Sequence, residues 1–292
     1  MKIEDVRKLS PEGRFLYWVG ERWNILSKRR SGYVRPWTND KILQSYYFTN
    51  VKRKDDKVTI WVTENIIGPM QWDPLVIFAV LAFRWFNQPQ PSGEYLVSHD
   101  LLKLWNCELA VKGLTGFKNA GLKVFTGAFN ISNGGSSKPK VNRVCEDYIQ
   151  PVWECRENLL NRILEPKERT LARAFEVISE YPGMGGSGFM AAQVVCDLAY
   201  THFLEDAKDF ETWCSWGPGS RRGMNRVCGF DENFPMPAGD WNVRLQRLRG
   251  VISRKLGLNL HARDVQNCLC EFSKYERALW NQGHLKRRYK GA

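Results

Sequence analysis

Apolar residues recur at the three-and-four spacing of a helical face over most of this chain, and strand-like alternation is nearly absent. Between Glu12 and Arg30 one face carries Phe15, Trp18, Val19, Arg22, Trp23 and Leu26, with Glu21 and Arg22 caught inside the apolar pattern. Lys28-Arg29-Arg30 closes that helix, where cations complement the helix dipole. Thr38 is the expected N-cap of a helix carrying Ile42, Leu43, Tyr46 and Tyr47. Asp55-Asp56 opens another through Val58 and Trp61. Asp73-Pro74 begins a helix that is apolar nearly all round, from Leu75 to Phe86, and so belongs at the centre of a core. Ser98 is expected to cap one more, through Leu101, Leu102 and Trp105. From Val141 to Leu164 the helical period continues across Pro151, where a kink is expected.

The period fails between Gly113 and Lys140, where six glycines, three asparagines and three serines predict a long loop with a short strand pair near 123–131. Asp240 to Lys255 reads as a basic amphipathic helix, with Val243, Leu245, Leu248 and Ile252 inward and Arg244, Arg247, Arg249 and Arg254 outward. His261 to Asn267 leads into a last helix through Phe272 and Tyr275, and residues 283–292 form a basic, frayed tail. No internal repeat or shift in composition separates two domains. The predicted class is mostly α, in a single domain over 1–292.

One stretch organises the remainder. Leu171, Ala174, Phe175 and Ile178 share a helical face that stops at Tyr181-Pro182-Gly183-Met184-Gly185, and a second face runs from Gly188 through Phe189, Ala192, Val195, Cys196 and Ala199. Helix, Pro-Gly-x-Gly turn, helix is the outline of a helix-hairpin-helix over about 170–200. In such a hairpin Gly183, Gly185 and Gly186 would let backbone amides approach a DNA phosphate. A plain pair of antiparallel helices has the same outline. Beyond it stand Asp209, Trp213 and Gly217-Pro218-Gly219-Ser220-Arg221-Arg222-Gly223. A carboxylate placed shortly after the hairpin resembles the arrangement in helix-hairpin-helix DNA glycosylases, where it faces a base flipped out of the duplex.

Charge sharpens the picture. The 292 residues carry a formal net charge of +12, which favours a polyanionic partner. Eight cysteines show no disulfide-framework spacing and no C-x-x-C pair, and only four histidines are scattered among them, so neither a zinc site nor a cofactor is expected. The four-cysteine cluster of the iron–sulfur glycosylases is missing. The opening MKIEDVRKLS lacks a signal-peptide core, and the longest apolar run carries Arg84 and falls short of the roughly 20 residues of a membrane span. The expectation is a cytoplasmic protein (host cytoplasm if viral) with no membrane contact.

Several stretches then occur together in a telling order: Trp37-Thr38-x-Asp40; Phe48-Thr49-Asn50-Val51 with Arg53 and Asp56; Pro182-Gly183-Met184-Gly185; Gly217-Pro218-Gly219-Ser220-x-Arg222-Gly223; and Cys270-Glu271-Phe272-x-Lys274-Tyr275-x-Arg277. The set resembles the phage amino acid:DNA transferases, formerly α-glutamyl/putrescinyl thymine pyrophosphorylases. Their glycosylase-like helical module is also found fused to 5-hydroxymethyluracil DNA kinases. The resemblance spans Glu21 to Arg277. No G-x-x-x-x-G-K-[S/T] phosphate loop is present, and Gly134-Gly135-Ser136-Ser137-Lys138 is a poor imitation, so the transferase branch is favoured. It implies a two-lobed, helix-hairpin-helix glycosylase-like fold acting, as a monomer, on double-stranded DNA that carries modified thymine. An amino acid or polyamine displaces pyrophosphate from the C5 methylene of 5-pyrophosphoryloxymethyl-deoxyuridine.

That chemistry sets requirements. An everted base needs stacking partners, for which Trp37, Phe48 and Trp213 are candidates. The departing pyrophosphate needs donors, assigned to Arg22, Arg53, Arg221, Arg222, Asn50 and Lys274. The protonated amine needs a base: Asp209, Asp197 or, third, Glu21. Each has a structural alternative: core packing for the aromatics, an N-cap for Asp209, a buried hydrogen bond for Asp197. A glycosylase excising a modified base is the runner-up, and a non-enzymatic DNA-binding module is the third reading.

Overall fold

The computed structural model describes residues 1–128, 131 and 135–283. The chain divides into two compact units, one made of residues 1–56 and 211–292, the other of 57–210. The first unit is discontinuous in sequence, so the second is an insertion between its helices.

Unit 1 begins with α1 (Ile3–Lys8), α2 (Pro11–Arg30) and α3 (Lys41–Ser45). Unit 2 holds α4 (Lys57–Val62), α5 (Val76–Phe86), α6 (Glu94–Ser98), α7 (Cys107–Asn119), α8 (Lys140–Asn142), α9 (Gln150–Glu154), α10 (Arg156–Leu164), α11 (Leu171–Ser179) and α12 (Phe189–Leu198). The chain returns to unit 1 with α13 (Pro218–Val227), α14 (Ala238–Leu256) and α15 (Ala262–Leu279). Among the described residues there is no strand, and no helix is long and apolar enough to cross a membrane. The mostly α class therefore stands.

In unit 1 the inward stripes of α2, α14 and α15 meet, burying Phe15, Trp18, Trp241, Leu245, Phe272 and Tyr275. Ser10 caps α2 by accepting from the Gly13 amide at 3.1 Å, with Pro11 in the first turn. Asp40, rather than Thr38, caps α3: its Oδ1 accepts from the amides of Ile42 (2.8 Å) and Leu43 (3.1 Å). Both residue types suit an N-cap, and only the backbone register decides between them. The Gly217-Pro218-Gly219 stretch is the start of α13, with Pro218 at its first position. A Cβ on Gly219 would lie 2.4 Å from Cys270 Sγ, and one on Gly223 only 2.0 Å from the Leu269 carbonyl. These two glycines, four apart on one face, let α13 ride directly on the backbone of α15. Val243, expected inside, is 70% exposed, and Trp241 is buried in its place.

In unit 2 every residue of α5 is buried, as its all-round apolar pattern predicts. Two expectations fail. Residues 113–119 are helical, not loop: Asn106 caps α7 through the Leu109 amide at 2.9 Å, and Ala110 and Leu114 face inward. Gly113 is there because a Cβ would meet the Tyr95 ring, so a glycine count mistook close packing for a loop. Ser98 ends α6 instead of starting a helix, and Leu101, Leu102 and Trp105 are buried along turns. The span 141–164 is helical as expected, through α8, a wide-turned stretch over Arg143–Ile149 just before Pro151, α9 and α10, with an added break at Cys155. The strand pair and the basic tail lie partly or wholly outside the described residues.

Candidate functional site

A polar constellation of unit 1 surrounds the segment Phe48–Asp56, which ends in a short 3-10 turn over Arg53–Asp55. Phe48 and Val51 anchor it in the core. Helix α2 reaches it through the buried Arg22, whose Nε donates to the Thr49 carbonyl (3.3 Å) and whose Nη2 donates to those of Phe48 and Thr49 (3.0 Å each). Helix α15 reaches it with several side chains, and the Cys268 thiol lies 3.5 Å from the Val51 carbonyl. Glu271 Oε2 accepts from the Thr49 amide (3.2 Å), Asn267 Nδ2 donates to Thr49 Oγ1 (2.9 Å), and Asp264 Oδ1 accepts from the Arg53 amide (2.9 Å). Asn50 Nδ2 donates to the Asp55 carbonyl (2.8 Å) and closes the segment on itself. Lys274 donates to the Tyr47 carbonyl, lies 3.5 Å from Glu271 Oε2 and stands 4.6 Å over the Phe48 ring.

Asp56 is the group these contacts single out. Its Oδ1 accepts from the Asn50 amide at 3.0 Å. Burial raises its pKa to about 6, and the charge of Glu271 adds to that rise; the Asn50 amide and the guanidiniums of Arg53 and Arg22 pull only partly the other way. A carboxylate that titrates near neutral pH can take up or release a proton where an ordinary one cannot. Neither Asp56 nor Glu271 was among the site residues chosen from sequence, although both fall inside the stretches that carried the resemblance. Arg222, half-buried on α13, makes no hydrogen bond or ion pair among the described residues, and its charge, like that of Lys274, bears on the Cys270 thiol.

The other expected residues are placed as follows. Glu21 accepts from Thr38 Oγ1, whose oxygen also accepts from the Asp40 amide (3.1 Å). Asp40 Oδ2 in turn accepts from the hydroxyls of Tyr275 (2.6 Å) and Tyr17 (3.2 Å), and burial beside this carboxylate drives both phenol pKa values up. Glu21 thus adjoins a network that ties α2, α3 and α15 together. Phe48 is a core residue packed edge-on against Trp18 and Tyr275. Trp37 is half-buried beneath the Arg35 guanidinium, 4.8 Å from its ring. Arg221 lies 4.9 Å over Trp216, and Trp213 is half-buried.

The remaining ones sit in unit 2. Asp197 is closed to solvent, and both its oxygens accept from Arg84, which also donates to Asn87. Asp209 caps α11: its oxygens accept from the amides of Leu171 (2.7 Å) and Ala172 (2.9 Å). The N-cap expected beside Thr212 does not form: Asp209 instead supplements Thr170, the N-cap of α11, whose Oγ1 accepts from the Arg173 amide (3.1 Å). Gly183 and Gly186 take the left-handed φ values +74° and +67° of the tight turn between α11 and α12. A Cβ on Gly183 would strike Trp85, one on Gly185 would meet the Ser179 carbonyl, and one on Gly186 would meet nothing. An open depression of unit 2 is lined by Arg156, Arg162, Glu180 and Tyr181, and the bidentate Arg162–Glu180 pair neutralises its charge.

Comparison with known proteins places this geometry. The family of the 5-hmdU DNA kinase helical domain matches residues 12–284. The 5-hmdU DNA kinase of Bacillus phage SP10 is 25% identical over 283 residues, covering 87% of this chain and 43% of its own length. The chain therefore spans less than half the length of that relative. No solved structure matches. With nearly its whole length matched, the chain belongs to the family of the 5-hmdU DNA kinase helical domain.

Proposed function

We propose that this chain acts in thymidine hypermodification of phage DNA, transferring an amine or amino acid to the C5 methylene of 5-pyrophosphoryloxymethyl-deoxyuridine. The family supports DNA carrying a modified uracil as the substrate. The observation that carries the reading is the unit 1 cluster, in which Arg22, Arg53 and Lys274 surround two carboxylates and Asp56 titrates near neutral pH. In the proposed step the amine nitrogen forms a bond to the methylene carbon while the carbon–oxygen bond breaks. Pyrophosphate leaves with the electron pair. The proton shed by the amine passes to Asp56, which is ionised above about pH 6 and so serves as the general base. Arg222, Arg53 and Lys274 supply the positive charge that receives the leaving group.

Asp197 and Asp209 are left out of this chemistry, since one is held by Arg84 and the other by the α11 amides. A glycosylase reading needs an available carboxylate after the hairpin, and the capping role of Asp209 weighs against it. The glycosylase-like two-lobed fold and the contact of Gly183, Gly185 and Gly186 with a DNA phosphate remain part of the proposal.

The test is digestion to nucleosides and mass spectrometry of pyrophosphorylated DNA after incubation with the protein and a panel of labelled amines. A heavier thymidine analogue together with free pyrophosphate is expected. Free base and abasic sites would instead establish the glycosylase, and unchanged DNA would refute both enzymes.

A further inference from the structure

The two units differ sharply in charge. Residues 1–56 and 211–292 hold 28 Lys and Arg against 14 Asp and Glu, whereas residues 57–210 hold 15 against 17. The whole basic excess of the chain therefore lies in unit 1. At the C-terminal end of α2, unit 1 also presents the two adjacent apolar side chains Tyr33 and Val34, which are 64% and 89% exposed. Isolated exposed apolar residues are ordinary, but these two stand on a tethered loop. Gly32 turns the chain at φ +77°, the Tyr33 amide donates to the Lys28 carbonyl (3.0 Å), and Trp37 Nε1 donates to the Tyr33 carbonyl (2.6 Å). Lys28 Nζ completes the tether on the Trp37 carbonyl at 3.0 Å. Exposed cations flank the pair on both sides, Arg29 and Arg30 before it and Arg35 after it.

We propose that Tyr33 and Val34 form a wedge that enters the base stack of duplex DNA where the target nucleotide leaves it, while the flanking cations hold the backbone phosphates. The proposal rests on the reading of modified duplex DNA as the substrate. Pulling a base from the stack costs a few kcal/mol, and an apolar side chain that fills the gap offsets part of that cost. Charge complementarity selects the occupant: an apolar tip flanked in sequence by the exposed guanidiniums of Arg29 and Arg35 suits a polyanion with an apolar interior, which describes a duplex. The tip is also coupled to the candidate site. Arg30 Nη2 bonds Asp55 Oδ1 at 2.8 Å, next to Asp56, and Arg30 lies eight residues along α2 from Arg22, about 12 Å at the helical rise.

The experiment places 2-aminopurine beside the target base in a duplex and follows its fluorescence, which reports unstacking without any chemistry. Wild-type protein should raise the signal. The Tyr33→Ala/Val34→Ala double variant, with its circular dichroism and melting unchanged, should need about tenfold more protein for the same rise on a paired duplex. It should match wild type where the target already faces an abasic site, and Tyr33→Phe should keep most of the effect. A double variant equal to wild type on paired DNA overturns the wedge alone. A double variant that turns a dimer into a monomer in sedimentation overturns it in favour of a contact between copies. Wild-type protein that neither binds nor unstacks any duplex refutes the DNA-substrate reading, and the wedge with it.

Discussion

Asp197 is closed to solvent and Asp56 half-buried, and both lie near arginines, yet their surroundings give them opposite roles. In unit 2, Asp197 meets Arg84 with both oxygens, and Arg84 spends a further donor on Asn87, so each charge is matched by geometry. In unit 1, the guanidinium of Arg22 is turned onto backbone carbonyls, Glu271 adds a second negative charge, and Asp56 is left with one amide and a pKa near 6. A carboxylate with complete partners is a structural element. One whose charge is kept costly is poised to exchange a proton.

The sharpest way to break the comparison is to remove a partner on the structural side. Arg84→Ala should cost about 3–5 kcal/mol in denaturant unfolding, because it leaves the Asp197 charge buried and unpaired. A loss under 1 kcal/mol, on the scale of an exposed pair, would mean that water reaches the site. Gly223→Ala comes next: its Cβ must displace the Leu269 carbonyl, and a loss of at least about 2 kcal/mol is expected from the same measurement. Asp209→Ala should cost about 1 kcal/mol by leaving the Leu171 and Ala172 amides without their partner while Thr170 still caps the Arg173 amide, with transfer activity unchanged when assayed below its lowered melting temperature. Loss of turnover there with the fold intact would return Asp209 to the chemistry.

How much of this was legible in the sequence follows from what each feature depends on. The long helices α2, α5, α14 and α15 were readable because a 3.6-residue period is local. Asp40 against Thr38, or Ser98 ending a helix instead of starting one, turn on backbone register, which residue type does not encode. Gly113 faces a ring, Gly219 the Cys270 sulfur and Gly223 a neighbouring backbone, each too close for a side chain, and residue type alone does not distinguish such a glycine from one that marks a loop. Asp56 falls in a stretch legible in the sequence, but its raised pKa comes from burial and from Glu271, more than two hundred residues away, which no local pattern reveals. Asp209 stands after the hairpin and Asp197 within its second helix, and only tertiary contacts reveal that both are employed elsewhere.

The measurement that tests the central claim most directly is Asp56→Asn, followed for stability and for turnover across pH 5–8. In the folded protein Asp56 binds its proton more tightly than an ordinary carboxylate near 3.8. Native stability therefore falls as pH rises from about 4 through 6, and the cost of the buried charge persists above that. Asparagine keeps an oxygen for the Asn50 amide and removes the charge. The variant should gain on wild type as pH rises from 5 to 8, by on the order of 1–3 kcal/mol. Wild-type transfer should rise with pH through about 6 and level off, and the variant should show none at any pH. A variant that transfers at the wild-type rate, or that gains nothing on wild type between pH 5 and 8, would contradict the account and make Asp56 one more structural carboxylate.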